Sequence, residues 1–125
     1  MEDVILVVAY DEDLARLLMT VMNLQGCSTI ASADGKTALA LAVIHQPRLI
    51  FLDTPVLDVH AQDLVMWMRL SNVYAPIVLL STSSDISLMA QEFGVEAYVP
   101  KPFDLEEIVA CLDLCDAPLE RAVAA

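Results

Sequence analysis

Five short apolar runs punctuate the chain, and each is followed by a stretch with helical spacing or helix-end signals. Val4-Ile5-Leu6-Val7-Val8 is apolar throughout and mostly β-branched, the pattern of a strand buried on both faces. Leu14, Leu17, Leu18, Val21 and Met22 then recur at helical spacing behind Asp11-Glu12-Asp13, whose negative charge suits a helix N-terminus, and Gly26 stops that helix. Residues 28–33 read as a weaker strand, Asp34-Gly35 as a turn, and 37–44 as a helix closed by Gln46-Pro47. Leu49-Ile50-Phe51-Leu52 is a third strand, ending directly on Asp53. A loop over 54–60, a helix over 61–70, a strand over 77–80 opened by Pro76, and the hydroxyl-rich loop Ser81-Thr82-Ser83-Ser84 follow. The last elements are a helix over 85–93 capped by Gly94, a short strand over 97–99, and a helix over 104–114. Asp104 and Glu107 stand at capping-box spacing there, with Leu105, Ile108, Val109 and Leu112 as the expected buried stripe.

The order is β-α repeated five times. Parallel strands need crossover connections, the crossovers are right-handed, and helices therefore cover both faces of one doubly wound α/β sheet. In such sheets ligands bind beyond the carboxyl ends of the strands. Four polar features are expected at that edge: Tyr10-Asp11 after the first strand, Asp53 after the third, Ser81 after the fourth and Lys101 after the fifth. Alone, each has a plainer reading: Asp53 as a cap or turn residue, Ser81 as a loop hydroxyl and Lys101 as a solvated cation. Together they make a phosphoryl site, with a carboxylate nucleophile and two groups able to donate to phosphoryl oxygens.

Composition narrows the function. With 18 acidic and 6 basic residues the formal charge is −12, which repels phosphate backbones and anionic lipid; the basic residues are scattered, so direct nucleic-acid binding is not expected. Mean hydropathy is high at +0.62, yet no apolar run reaches the roughly 18 residues of a membrane span, so a soluble core and no membrane partner are expected. Met1-Glu2-Asp3 leads straight into a strand without a signal segment, which makes a cytoplasmic location the expectation. Three cysteines are an odd number; Cys111 and Cys115 lie at i, i+4, but a metal site would want two more ligands, and His45 and His60 are distant in sequence.

The chain resembles a response regulator receiver domain of two-component signalling over essentially its whole length. The residues that carry the resemblance are Ile5-Leu6-Val7-Val8, Ala33-Asp34-Gly35, Leu49-Ile50-Phe51-Leu52-Asp53, Pro76-Ile77-Val78-Leu79-Leu80-Ser81, Gly94 and Tyr98-Val99-Pro100-Lys101-Pro102-Phe103-Asp104-Leu105-Glu106-Glu107. It implies a single flavodoxin-like domain over residues 1–116 with strand order 2-1-3-4-5, a fold for which receivers are a standing example, and a tail or linker start over 117–125. It also implies Asp53 as phosphoacceptor, Ser81 and Lys101 as phosphoryl ligands, Ser81 and Tyr98 as switch residues, and a cis peptide at Lys101-Pro102. The implied partner is a histidine kinase or another signalling protein, with a homodimer left open.

The departures from the family matter as much. Receivers follow the first strand with two adjacent acids that hold Mg²⁺; an ungapped reading puts Ala9 and Tyr10 in those places. Asp11, Asp53 and Pro55 are then the positions left for a metal, and Mg²⁺ binding is expected to be weak or absent, because this ion wants oxygen ligands anchored by one or two carboxylates. Without the pair, Lys101 is free to contact Asp53 directly. Receivers usually place Pro four residues after the acceptor and Gly eight after, whereas here Pro55 is at the second position, Leu57 at the fourth and Ala61 at the eighth, so the loop is expected to be reshaped. Met66 and Trp67 stand where the family usually has charged residues, and mark either a loop contact or an exposed contact surface.

The leading expectation is an atypical receiver: a non-enzymatic interaction switch with impaired or absent Mg²⁺-dependent phosphorylation. The alternative is a working phospho-receiver modified on Asp53. A small enzyme on the same fold is remote. Asp11-Glu12-Asp13 would repel a flavin phosphate after the first strand. An aspartate-nucleophile phosphatase would carry a second Asp two residues after Asp53, where Pro55 stands.

Overall fold

A computed structural model describes residues 4–116, and the expected tail over 117–125 lies outside them. Its elements are β1 (Val4–Val8), α1 (Glu12–Leu24), β2 (Ser28–Ser32), α2 (Gly35–His45), β3 (Leu49–Asp53), α3 (Ala61–Leu70), β4 (Ile77–Ser81), α4 (Ile86–Phe93), β5 (Ala97–Pro100), α5 (Leu105–Ala110) and a terminal 3₁₀ helix (Cys111–Asp116). All strand pairings are parallel, in the order β2-β1-β3-β4-β5. The expected flavodoxin-like architecture is therefore the observed one.

The uniform apolar runs behave as their composition dictates. Every residue of β1, β3 and β4 is buried, because helices cover the sheet on both sides. Leu6, Ile50, Leu52 and Leu79 point to one face, where Ala38 and Ala42 of α2, Leu64 and Met68 of α3, and Ile86 and Ala90 of α4 pack on them. Ile5, Val7, Phe51 and Val78 point to the other, beneath Leu18 and Met22 of α1 and Ile108 of α5. Truncating a fully buried ring such as Phe51 to Ala removes about 3–5 kcal/mol of stability.

Four expectations about the helices need correction. The helix expected over 104–114 is α-helical only to Ala110 and tightens into a 3₁₀ turn from Cys111. A 3₁₀ ending is common at helix C-termini, and Asp113 places negative charge where the helix dipole is already negative. Leu105 is exposed instead of buried, because it lies in the first turn of α5, just after the chain leaves the sheet edge; Ile108 and Cys111 are the inward residues. α2 is longer than the turn signal implied. The Asp34 side chain accepts from the Thr37 amide at 3.1 Å, so the helix begins at Gly35. Leu17 of the α1 stripe is also turned outward, beside the face formed by Leu18, Val21 and Met22.

Candidate functional site

The sheet register brings the expected residues to one edge. Val8 pairs with Leu52, so Ala9 lies level with Asp53; Asp53 pairs with Leu80, and Ser81 with Pro100, so Ser81 lies one residue further along than Asp53 and Lys101 two. Asp53 is buried, and Lys101 reaches across from the β5–α5 loop to place its Nζ 2.5 Å from Asp53 Oδ1. The pair is largely shielded: the Lys101 side chain is 23% exposed and that of Asp53 only 9%. The Lys101 backbone amide also donates to the Ser81 carbonyl at 2.8 Å, holding the cationic loop against β4.

Ser81 is buried beside this pair, and its Oγ accepts from the Ser83 amide at 3.0 Å, folding the hydroxyl-rich loop back over the end of β4. A cleft of about 430 Å³ opens there, lined by Thr54, Pro55, His60, Ser81, Ser83 and Phe93 among others. Thr54 anchors its floor: both its amide and its hydroxyl donate to the Leu80 carbonyl at 3.0 Å. Tyr98 is not part of this cleft. It is exposed on β5 and lines a shallow apolar groove with Pro100, Cys111 and Leu114.

The neighbourhood of Asp53 holds little else that is acidic. Ala9 is a buried methyl, and Tyr10 is 62% exposed. Asp11 caps α1, its Oδ1 accepting from the Asp13 amide at 2.9 Å and the Leu14 amide at 3.3 Å. Glu12 and Asp13 occupy the first helical turn, as helix-start charges do. Among the described residues, no group of three or more His, Cys, Asp or Glu side chains is arranged to hold a metal ion.

The Asp53 loop contains contacts that sequence reasoning missed. The Thr54-Pro55 peptide is cis, as is Lys101-Pro102. Asp58, read only as a loop residue, turns back on α2: its two oxygens accept from the amides of Gly35 at 2.6 Å and Lys36 at 3.2 Å. Those are amides of the first helical turn, which have no partner within the helix, so a carboxylate is well placed on them. Gly35 makes the approach possible, since a Cβ there would lie 2.4 Å from Val59 Cγ2. A glycine just after an N-cap aspartate was the available signal. At the opposite edge, Glu96 accepts from the Ile77 amide at 2.8 Å and from Arg69 at 2.9 Å, while Arg69 also donates to the carbonyls of Val73 and Ala75. Met66 is exposed and Trp67 half-buried. Cys111 is buried, donates to the Glu107 carbonyl at 3.2 Å, and its thiol is pushed up to about 11, chiefly by burial and secondarily by the nearby Cys115 and Glu107.

The family model for the response regulator receiver domain matches residues 5–113. The chain belongs to that family. It is 30% identical over 110 residues to the transcriptional regulatory protein KdpE of Mycobacterium tuberculosis, which covers 86% of this chain and 48% of that protein. It is 27% identical over 108 residues to the cell cycle transcriptional regulator CtrA of Caulobacter vibrioides, covering 85% and 47%. Among solved structures, a two-component response regulator from Clostridium difficile superposes with a TM-score of 0.81 at 26% identity, over 91% of this chain and 95% of that one. The chain thus spans about half the length of these two curated relatives. No helix among the described residues is long and apolar enough to cross a membrane.

Proposed function

We propose that this receiver is a protein-interaction switch of two-component signalling in which Mg²⁺-dependent phosphorylation of Asp53 is impaired. The observation that carries the reading is the direct Lys101–Asp53 pair, with a methyl at Ala9 and an exposed ring at Tyr10 in place of acids. Phosphoryl transfer onto a carboxylate is mainly positioning and charge neutralisation, and Mg²⁺ supplies much of the neutralisation where it is bound. The donors here do not fit an ordinary Mg²⁺ site. Asp53 is engaged by an ammonium, Asp11 by the amides of α1, and Pro55 offers only a backbone carbonyl. Lys101 is then the counter-charge of the site, and it holds the β5–α5 loop against Asp53.

A second reading, a working phospho-receiver, is favoured by one observation: the acceptor, the hydroxyl and the ammonium are all retained at one edge. An Asp53 oxygen would attack phosphorus while the donor's leaving group departs, giving an acyl phosphate. Lys101 would shift from carboxylate to phosphoryl oxygen, and the Ser81 hydroxyl would donate to another. In either reading the partner is a histidine kinase or another signalling protein, and the net charge of −12 disfavours direct contact with nucleic acid. The relatives are named as transcriptional regulators, which supports a role in regulated transcription exerted through other protein surfaces.

The test is incubation with a small acyl phosphate with and without Mg²⁺, read by intact mass, with Asp53→Asn as control. No gain, or a slow gain indifferent to Mg²⁺, is expected. Rapid, stoichiometric, Mg²⁺-dependent addition of one phosphoryl group, absent from Asp53→Asn, would return the chain to ordinary phospho-receivers.

A further inference from the structure

The loop that leaves the acceptor is fastened at both ends. At its start the amide and hydroxyl of Thr54 both donate to the Leu80 carbonyl at 3.0 Å, so the residue directly after Asp53 is tied to β4. At its far end the Asp58 carboxylate accepts from the amides of Gly35 at 2.6 Å and Lys36 at 3.2 Å, 23 and 22 residues away in sequence. The other well-capped helix start manages alone: Asp11 takes the amides of Asp13 and Leu14 on α1. On α2 the N-cap Asp34 takes only that of Thr37, and Asp58 supplies the two before it.

Apolar contacts follow the same line. A Cβ at Gly35 would collide with Val59 and crowd Val56, and both valines also pack on the core cluster that holds Ala38 of α2 and Leu64 of α3. Between the two fastenings the Pro55 ring fixes φ and Val56 is half-buried, which leaves the chain little slack. Asp58 itself is exposed, so its bonds compete with water, and it shares the helix end with the like charge of Asp34. The clasp can therefore open without unfolding the domain. A displacement of Asp53 then has two outcomes: the clasp holds and the first turn of α2 moves with the loop, or the clasp opens and the loop detaches. Both change the start of α2.

We propose that Asp58 is a positioning residue for the acceptor: it holds the loop over 54–60 as a strap between β4 and α2, so that the clasp on Gly35 and Lys36 and the Lys101–Asp53 pair stabilise one another. Asp58 makes no hydrogen bond to Asp53 or Lys101 and acts through the strap. Opening either contact weakens the other, by the reciprocity that any coupling between two sites obeys. The inference deepens the interaction-switch reading by naming the start of α2 as the element that responds. Its test uses neither phosphodonor nor Mg²⁺, so the two fail separately.

The chain has two lysines, Lys36 and Lys101. Competitive acetylation of the full chain, read by peptide mass, therefore reports how well Asp53 shields Lys101, and amide hydrogen exchange by NMR reports the clasp at Gly35 and Lys36. Expected in Asp58→Ala is a rise of about fivefold or more in Lys101 labelling, the lower end of ordinary coupling between sites, and a smaller rise in Asp58→Asn, whose amide oxygen still accepts. In the reverse direction, Asp53→Ala should speed exchange at Gly35 and Lys36 by a similar factor relative to the core amide of Leu6. Asp34→Ala removes the local cap of the same helix end and should leave Lys101 labelling at the wild-type rate, which separates a strap from general loosening of α2. Should Asp58→Ala fail to fold, Asp58→Asn carries the labelling arm. Wild-type labelling of Lys101 in the folded Asp58 variants, an equal rise in Asp34→Ala, or exchange at Gly35 and Lys36 unaltered by Asp53→Ala overturns the proposal.

Discussion

The Lys101–Asp53 contact sets a clear expectation for what happens when the acceptor carboxylate is removed. Exposed ion pairs contribute about 0–1 kcal/mol, while cutting one partner of a buried pair costs about 3–5 kcal/mol because the other charge is left desolvated. With side-chain exposures of 23% for Lys101 and 9% for Asp53, this pair lies nearer the buried limit. Asp53→Ala is therefore expected to cost about 2–3 kcal/mol, and Asp53→Asn less, because the amide oxygen still accepts from the ammonium. Lys101→Met strands a buried carboxylate and should cost as much as Asp53→Ala. The double variant Asp53→Ala/Lys101→Met should cost well below the sum, with a coupling energy of about 2 kcal/mol in the cycle. Urea unfolding followed by Trp67 fluorescence and circular dichroism measures this. At an m-value of about 1–2 kcal/mol per M, the midpoint of Asp53→Ala should fall by more than about 1 M with m unchanged. An Asp53→Ala variant as stable as wild type, or more stable, would refute the reasoning. It would mean that Asp53 sits in a net negative field, with other carboxylates still competing for Lys101.

Three further outcomes are expected. Gly35→Ala should destabilise by about 1–2 kcal/mol although alanine is the better helix former, because its Cβ would lie 2.4 Å from Val59 Cγ2; adding Val59→Ala should recover much of the loss in urea titrations, and a stabilised single variant would show that the loop is not held on α2. Arg69→Met should cost about 1–2 kcal/mol in the same titrations, since it strips a donor from the carbonyls of Val73 and Ala75 and leaves Glu96 with the Ile77 amide alone; no change in midpoint would count against that network. Cys111 holds its proton in the folded state up to about pH 11, above its ordinary value of 9.0. The unfolded thiol ionises first, so this stability contribution is complete below pH 9 and is lost as pH rises toward 11; Cys111→Ser should flatten that part of the stability profile, and an unaltered profile would exclude the thiol as its source.

What the chain determined by itself was the class of fold and the edge on which the candidate site lies. Uniform apolar runs such as Val4-Ile5-Leu6-Val7-Val8 can only be satisfied by cover on both faces, and strand-helix alternation leaves parallel pairing as the way to supply it. Asp53, Ser81 and Lys101 were legible for the same reason, since Asp53 and Ser81 close apolar strands and Lys101 directly follows one. The contact between Lys101 and Asp53 followed from a local absence, the acids missing at positions 9 and 10. Tertiary structure decided the rest. Whether Asp11 would turn to the site or to its own helix depended on the path of a few backbone atoms, and the unpaired amides of α1 were nearer. Asp58 became a clamp on α2 only because the loop after Asp53 folds back 23 residues in sequence onto Gly35, a contact no local pattern encodes. The exposed face of α2 was hidden in plain view. A run rich in alanine and leucine predicts a helix by propensity, but which sides are covered is set by the neighbours that packing assigns, and α2 has a neighbouring helix in α3 while Val43 and Ile44 are left exposed.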